Sequence, residues 1–244
     1  MNIILPLAGQ NPRFKALPKP LIQVGGRPFV AHILKQLQIK PEDKLIVILL
    51  QEHIEKFHID EALRSVTADL GISTTMPVLP AVTQGSPCSI LEAARNLIDN
   101  DTALLVELGD VIRDLDNFYR DVAARRGDVA GIIPVERRDM SGRPFGYVRA
   151  DAQGTAEVLL EKEMTYVAPW ATMGLYYFSH GRDFVWAVDE MVRQRSFVYN
   201  NMFFVGPVYN ELIGRGDKVI ISENKIEKML GTPEEVENFC WQHD

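Results

Sequence analysis

A short irregular stretch near the N-terminus carries two cations whose chemistry suits a polyphosphate. Gly9 lacks a Cβ, so a ligand can come close to the backbone at this residue. Arg13 offers a planar guanidinium that can hold two phosphate oxygens, while Lys19 supplies a movable point charge. Pro18 and Pro20 restrict the backbone on both sides of Lys19, which lowers the entropy lost when that side chain is positioned. The stretch predicts an electrostatic clamp for a polyphosphate, and a surface loop with two ordinary cations is the open alternative.

Asp110 offers a hard oxygen ligand shortly after a predicted buried strand, the apolar run Ala103 to Leu108. Because ligands of open α/β sheets bind at the carboxyl ends of the strands, its carboxylate is expected at the same edge as the Gly9 loop. That position suits Mg²⁺, which binds to one or two carboxylates together with substrate phosphates. An aspartate after a strand is also a common helix N-cap, and this structural role is the alternative.

A third candidate is the run Gln84-Gly85-Ser86. The amide of Gln84 is donor and acceptor together, so it can pair with the edge of a base. Gly85 would let the base lie flat against the backbone. The spacing by itself favours the alternative, a loop that only leads into a helix.

The predicted elements in the first half of the chain are strands that alternate with helices. Short apolar runs predict buried strands over Asn2 to Leu7, Lys44 to Leu50, Ala103 to Leu108 and Val129 to Val135. Apolar residues at helical spacing predict helices over 29–37, 52–70 and 116–125, and a capping box at Ser89 and Glu92 predicts another. The stretch Thr74 to Val82 is predicted as a broken strand, because Pro77 and Pro80 deny it a central place. This alternation predicts a mostly parallel, mixed sheet flanked by helices, an α/β fold of three layers.

In the second half of the chain, the predicted strands and helices no longer alternate regularly. Tyr147 to Ala150 and Ala156 to Leu160 flank a hairpin-like turn at Asp151 to Gly154. The remaining pattern predicts strands over 172–178 and 218–222 and helices over 183–195 and 200–213. Thr232, Pro233 and Glu235 predict a capped helix start near the C-terminus.

Composition excludes several classes of partner. The 244 residues are 46% apolar and 24% charged, as in an ordinary soluble globular protein. The net charge of −7 and the lack of a basic run argue against a nucleic acid polymer. Cys88 and Cys240 have no metal-type spacing and are expected to be free thiols in a reducing compartment. With no apolar run of membrane-spanning length and no signal-peptide pattern, a cytoplasmic protein without a membrane partner is expected.

The loop and the segment after it resemble the signature of the sugar-1-phosphate nucleotidyltransferases, in which Gly-x-Gly-(Thr/Ser)-Arg-(Phe/Leu) precedes Pro-Lys-Pro-Leu. The matching residues are Ala8, Gly9, Arg13, Phe14, Pro18, Lys19, Pro20 and Leu21. Asn11 stands in place of the second glycine and Pro12 in place of the hydroxyl residue. The resemblance implies a Rossmann-like, GT-A-like fold, here as one domain over 1–244 with a nucleotide-binding half to about 135 and an acceptor-binding half from 136.

The resemblance also implies roles for individual residues. Lys19 and Arg13 would be catalytic, and Asp110 would bind Mg²⁺. The residues implied to bind the nucleotide are Leu7, Ala8, Gly9, Gln84, Gly85, Ser86 and Gly109. Those implied to bind the acceptor are Gly146, Glu161, Lys162 and Gly174. Met229 stands where many relatives supply a second metal-binding aspartate, and Met202 where a surface-polysaccharide subgroup commonly has glutamate.

Together these features are interpreted as a nucleotidyltransferase. It would transfer a nucleoside monophosphate from a pyrimidine nucleoside triphosphate to a sugar-1-phosphate or a small phosphorylated alcohol. It is expected to act in the synthesis of surface-polysaccharide precursors. The sequence leaves the oligomeric state open, and a homo-oligomer is one of the alternatives. Asn11, Pro12, Met202 and Met229 leave a second interpretation open, a nucleotide-binding regulatory protein whose chemistry has decayed. A glycosyltransferase is disfavoured, because the strand before Asp110 does not end in an Asp-x-Asp motif.

Overall fold

The structure, a computed structural model, describes residues 1–9, 14, 17–138, 145–161 and 169–240. Four positions named above lie outside the described residues: Asn11, Pro12, Arg13 and Lys162.

The described chain alternates strands and helices up to residue 137 and is richer in strands after it. The strands are β1 Asn2–Pro6, β2 Gln23–Val24, β3 Arg27–Pro28, β4 Lys44–Leu50, β5 Ser73–Thr75, β6 Val78–Leu79, β7 Leu104–Glu107, β8 Val111–Asp114, β9 Gly131–Arg137, β10 Gly146–Ala150, β11 Ala156–Glu161, β12 Trp170–Thr172, β13 Leu175–Phe178, β14 Val219–Glu223 and β15 Lys225–Met229. The helices are α1 Phe29–Lys35, α2 Gln51–Phe57, α3 Ile59–Ala68, α4 Ser86–Ile98, α5 Asp116–Arg125, α6 Gly181–Gln194, α7 Val208–Arg215 and α8 Pro233–Cys240, with a 3-10 turn at Lys19–Leu21. None of the helices in the described ranges combines the length and the apolarity needed to cross a bilayer.

The large sheet has a parallel core and an antiparallel flank. Its order is β11-β10-β12-β9-β13-β7-β1-β4-β5, with β14 beside β9 and β6 beside β4. Strands β7, β1, β4, β5 and β6 are parallel to their neighbours within this group. On the other side, β13, β12, β10 and β11 pair in antiparallel fashion. The predicted mixed sheet with mostly parallel core strands is confirmed.

The central strands bury both of their faces, which explains their uninterrupted apolar sequence. In β4, Leu45, Val47 and Leu49 pack with residues of α1, α3 and α5 on one side of the sheet. Their neighbours Ile46 and Ile48 point to the opposite side and pack with residues of α4, α6 and α7. The sheet therefore lies between two layers of helices, and the three-layer arrangement is confirmed.

All the predicted helices of the first half are present, but one is divided and the predicted cap of another is wrong. The predicted helix 52–70 is two helices, because His58 adopts a left-handed conformation with φ of 51° between α2 and α3. This break turns the chain so that Ile59 and Leu63 are fully buried, whereas α2 buries no residue completely. The capping box at Ser89 and Glu92 is not formed, since α4 already begins at Ser86 and Ser89 lies buried within it.

Other differences concern strands in both halves and a helix of the second half. The predicted strand 172–178 is divided into β12 and β13 at Gly174, whose φ of 71° interrupts the extended backbone. The predicted helix 200–213 begins only at Val208, because Asn200 and Asn201 form a left-handed turn and Pro207 precedes the first helical residue. The strand 129–135 is shifted to 131–137, and β8 and β15 were not predicted. The hairpin of β10 and β11 and the capped start of α8 are confirmed.

Candidate active site

The order of the central strands creates a crevice at their carboxyl ends. The chain passes from β1 to β4 on one side, while β7 pairs with β1 on the other. Open α/β sheets bind ligands at such a change of direction, because the two neighbouring loops leave the sheet toward opposite layers. Here the loops that flank the crevice begin at Leu7 and Leu108, so the topology places the Gly9 stretch opposite Gly109 and Asp110.

A cavity of about 560 Å³ opens at this point. Five of the predicted residues line it: Leu7, Gly9, Lys19, Gly109 and Asp110. Ala8 lies between two of them but is itself buried in the core beneath. Gly9 is exposed, and no atom of the described residues lies within 4 Å of the place a Cβ would take. Within the described part of the chain, the space above this backbone is open to a ligand.

Lys19 and Asp110 meet across the crevice. Lys19 Nζ donates to Asp110 Oδ1 at 2.5 Å, although the two residues are 91 positions apart in sequence. The lysine is 9% exposed, and its ammonium also lies over the ring of Phe29, 5.0 Å from the centroid. Asp110 is 53% exposed, so its carboxylate can also be reached from solvent. The predicted cation and the predicted metal ligand therefore share one wall of the cavity.

A buried ion pair supports the loop that carries Asp110. Glu107 and Arg113 are paired with both side chains fully buried. Glu107 Oε1 also accepts from the backbone N–H of Gly109 at 2.7 Å, and Arg113 Nη1 donates to the carbonyl of Met173 at 2.8 Å. Burial raises the pKa of Glu107, and the guanidinium of Arg113 opposes that rise. This pair holds the Gly109 turn, and it could not be predicted from the sequence because Arg113 belongs to the unpredicted strand β8.

The N-cap role weighed for Asp110 is wrong, because strand β8 and not a helix follows it. Asp110 accepts from Leu230 N at 2.9 Å through its backbone carbonyl, and Met229 pairs with Val111 in the strand alongside. Met229, which stands in place of the second aspartate, therefore lies beside Asp110, but its side chain is a thioether and not a carboxylate. A single accessible carboxylate fits Mg²⁺ only when substrate phosphates complete its coordination. Consistent with this, the described residues contain no cluster of three or more His, Cys, Asp or Glu that could hold a metal ion.

The predicted base-binding run, Gln84 to Ser86, contacts Phe203 in a distant part of the chain. The carbonyl of Gln84 accepts from Phe203 N at 2.8 Å, and Ser86 begins α4. Gly85 has φ of 119°, and a Cβ there would overlap the Phe203 carbonyl oxygen. The glycine is therefore required by this backbone contact, whatever it does for a base. The run still follows β6 at the carboxyl edge of the parallel strands, although none of its residues lines the cavity.

Among the described acceptor residues, Gly146 and Glu161 lie together outside the lining of the cavity. A Cβ at Gly146 would come within 2.9 Å of Thr172 Oγ1 and 3.1 Å of Glu161 Oε2, so these groups converge around the glycine. Thr172 Oγ1 is 3.2 Å from the hydroxyl of the buried Tyr176. Burial raises the pKa of Tyr176, and the carboxylate of Glu161 raises it further, so its hydroxyl stays protonated.

Gly174 links this cluster to the crevice. Its carbonyl accepts from Leu108 N at 2.9 Å, directly before Gly109 and Asp110. The structure thus brings Gly174 to the predicted metal ligand and places Gly146 and Glu161 on the adjoining antiparallel strands.

Helix α2 supplies cavity residues that the sequence analysis missed. His53 and Lys56 line the wall formed by this helix, together with Glu52 and Phe57. Both residues stand outside the motifs on which the sequence predictions rest. The sequence did contain a signal for these residues, because α2 directly follows β4 at the edge of the sheet where the ligand is expected.

Comparison with known proteins defines the class of this chain. The family model described as Nucleotidyl transferase matches residues 12–198. The chain belongs to this family and is a nucleotidyltransferase, as the resemblance in its sequence indicated. Among curated proteins, Bifunctional protein GlmU of Aromatoleum aromaticum (strain DSM 19018 / LMG 30748 / EbN1) is 28% identical over 165 residues, which is 67% of this chain and 33% of that protein. The chain therefore spans about a third of the length of this curated relative.

Solved structures show the same fold. A nucleoside-diphosphate-sugar pyrophosphorylase from Vibrio cholerae RC9 has a TM-score of 0.82 at 21% identity, covering 99% of this chain and all of that one. A UDP-glucose pyrophosphorylase complexed with UDP-glucose has a TM-score of 0.77 at 13% identity, covering 99% and 97%. HddC from Yersinia pseudotuberculosis complexed with GMP-PN has a TM-score of 0.67 at 16% identity, covering 100% and 99%. At these identities the likeness concerns the fold.

Proposed function

We propose that this chain transfers a nucleoside monophosphate from a nucleoside triphosphate to a sugar-1-phosphate or a small phosphorylated alcohol. An oxygen of the acceptor phosphate attacks the α-phosphorus, the bond from that phosphorus to the bridging oxygen breaks, and pyrophosphate leaves with the electron pair. The observation that carries the proposal is the meeting of Lys19 and Asp110 on the wall of the cavity at the β1/β7 crevice.

The protein's part in such a reaction is positioning and charge neutralisation. Lys19 is held close to the crevice by Asp110 and Phe29, so its ammonium is placed to stabilise charge that develops near the α-phosphorus. Arg13 is assigned to the β- and γ-phosphates, and the Leu7 to Gly9 backbone and Gly109 to the nucleotide. Gln84, Gly85 and Ser86 are assigned to the base.

The acceptor is assigned to the cluster beside the crevice. Glu161 would accept hydrogen bonds from hydroxyl groups of a sugar or polyol, and Gly146 lacks the Cβ that would crowd its carboxylate. Lys162 would hold the acceptor phosphate, and Gly174, whose carbonyl accepts from Leu108 N, would lie between the acceptor and the crevice. In this assignment the attacking oxygen would meet the α-phosphorus beside the Gly109 turn.

Asp110 is the residue that would hold Mg²⁺. When bound, the ion would neutralise phosphate charge and help to orient the leaving pyrophosphate. Lys19, which Asp110 holds at 2.5 Å, would turn its ammonium toward the phosphates of the bound nucleotide.

A pyrimidine triphosphate and a role in surface-polysaccharide precursor synthesis in the cytoplasm complete the proposal. The polysaccharide role is supported by the Phe203 to Asn210 segment, which resembles a segment of the surface-polysaccharide subgroup. The solved structures hold UDP-glucose in one case and GMP-PN in another, so purine triphosphates belong in any test.

The test is a pyrophosphate-release screen of CTP, UTP, dTTP, ATP and GTP against sugar-1-phosphates and small phosphorylated alcohols, with Mg²⁺ and with EDTA. We expect release with one triphosphate and one acceptor class, present only with the metal ion. The Lys19→Ala variant serves as the control for contaminating enzymes, because they would not respond to this substitution. Equal release by both proteins, or none from any pair, would contradict the proposal.

A further inference from the structure

The wall of the cavity formed by α2 carries two basic side chains that have no role in the function proposed above. His53 and Lys56 are separated by three positions, so they lie on the same face of the helix. Both line the same cavity as Lys19 and Asp110. His53 is only partly buried, but its Nδ1 is shielded from solvent and has no hydrogen-bond partner among the described residues.

The other charged side chains around the described part of the cavity form ion pairs. Lys19 is paired with Asp110 at 2.5 Å, and Lys56 with Glu52 at 2.5 Å. Glu107 is paired with Arg113 behind the wall. A polyphosphate that enters brings several negative charges that these neutral pairs do not balance. Among the described lining residues, His53 is the side chain that can gain a positive charge near neutral pH.

We infer that His53 and Lys56 form a second phosphate-binding wall of the cavity, which receives the terminal phosphates of the nucleoside triphosphate. The inference rests on the proposed function, since it assigns further residues to the same nucleotide. The imidazole would donate a hydrogen bond to a phosphate oxygen and take up a proton from solvent as the ligand binds. Lys56 would exchange its exposed partner Glu52 for a second phosphate oxygen.

The surroundings of His53 favour proton uptake on binding over a charge that is already present. Burial lowers the pKa of His53, whereas Glu52 and the Leu7 backbone raise it and Lys56 lowers it again. Across the cavity lie Lys19, Glu107 and Asp110, and helix α3, which packs against α2, adds no charged residue to the described lining. A bound phosphate raises the pKa, so the histidine's contribution is present below its pKa in the complex and is lost as the pH rises through it.

The test compares the dissociation constant of wild type and His53→Gln for the tightest-binding of CTP, UTP, dTTP, ATP and GTP, with Mg²⁺, by calorimetry. The ratio of the two constants is taken at about pH 6 and about pH 8, so that ionisation of the ligand itself cancels. We expect His53→Gln to bind about tenfold more weakly at the lower pH and within about twofold of wild type at the higher pH. Lys56→Gln should bind more weakly at both values.

Two matched controls accompany these variants. His58→Asn keeps a residue that tolerates the left-handed backbone at the end of the same helix, and Lys35→Gln changes an exposed lysine of α1. Neither residue lines the cavity, so both variants should retain the affinity and pH dependence of wild type. A ratio that stays the same at both pH values, or an equal effect of His58→Asn, overturns the inference. If wild type binds none of the triphosphates, nucleotidyl transfer itself fails and the inference falls with it.

Discussion

At the scale of single residues, the account depends on two side chains that meet across a crevice. Lys19 is nearly buried and carries its charge against Phe29 and Asp110. A buried ammonium next to an accessible carboxylate is a suitable partner for phosphate, because its hydration has already been removed. The carboxylate keeps the charge balanced until the ligand arrives.

Lys19→Ala is expected to lower kcat by on the order of 10²–10³, with a smaller effect on triphosphate binding, because the ammonium acts on charge that grows in the transition state. Steady-state pyrophosphate release measures both effects. Lys35→Ala is the control, since Lys35 is exposed on α1 and does not line the cavity. An unchanged kcat in Lys19→Ala would show that the role is assigned wrongly.

Asp110→Asn is expected to abolish most activity while the unfolding free energy of the apo protein barely changes. The amide keeps the size and polarity of the carboxylate but not the charge that Mg²⁺ requires. The ion pair lost with Lys19 involves a carboxylate that is 53% exposed, so its own contribution to stability is small. Activity assays and urea unfolding check the two halves of this prediction, and a stability loss with activity retained would contradict it.

At the scale of elements, the Glu107–Arg113 pair fixes the turn between β7 and β8. Arg113→Met leaves a buried carboxylate without its cation and should lower the unfolding free energy by about 3–5 kcal/mol. The double variant Glu107→Leu with Arg113→Met removes both charges and should recover much of this loss. Urea unfolding of the wild type, the two single variants and the double variant gives the coupling energy.

Activity assays of the same variants distinguish a role of the ion pair in stability from a role in positioning the Gly109 turn. The double variant also removes the acceptor for the Gly109 N–H, so it should remain a poor enzyme even where its stability has recovered. A double variant with full activity would show that the pair serves stability alone.

The loop before α4 is positioned by its contact with Phe203. Gly85→Ala should lower the unfolding free energy by about 1–3 kcal/mol or more, because φ is 119° there and the new Cβ overlaps the Phe203 carbonyl. Gly214→Ala is the matched control, since Gly214 is in helix α7 with nothing within 4 Å of a new Cβ. That substitution should raise stability by up to about 1 kcal/mol. Equal effects of the two substitutions in urea unfolding would contradict this account.

At the scale of the whole molecule, the sequence predicted the layers and the edge at which the site lies. The runs at β1, β4 and β7 are apolar because both faces of these strands are buried, and this pattern does not depend on distant residues. The same reasoning predicted that Gly9 and Asp110 lie at one edge, and both residues line the same cavity.

The sequence could not predict features that depend on contacts between distant segments. Strand β15 carries three charges, at Lys225, Glu227 and Lys228, and is recognisable only from its partner β8. The break at His58 is set by the burial of Ile59 in the layer below the sheet, and the requirement at Gly85 is set by Phe203. Likewise, the α2 wall of the cavity appears only when the helix is placed beside the crevice.

The central claim is that this cavity holds a nucleoside triphosphate with Mg²⁺, and calorimetry tests it most directly. CTP, UTP, dTTP, ATP and GTP are titrated into wild type and Asp110→Asn at millimolar concentration, with Mg²⁺ and with EDTA. Pro12 lacks an N–H that could serve a phosphate, so we expect weak binding of at least one triphosphate. That binding should require the metal ion and be strongly reduced in Asp110→Asn. No heat from any of the five with Mg²⁺ present, or equal heat with EDTA and in Asp110→Asn, would contradict the account.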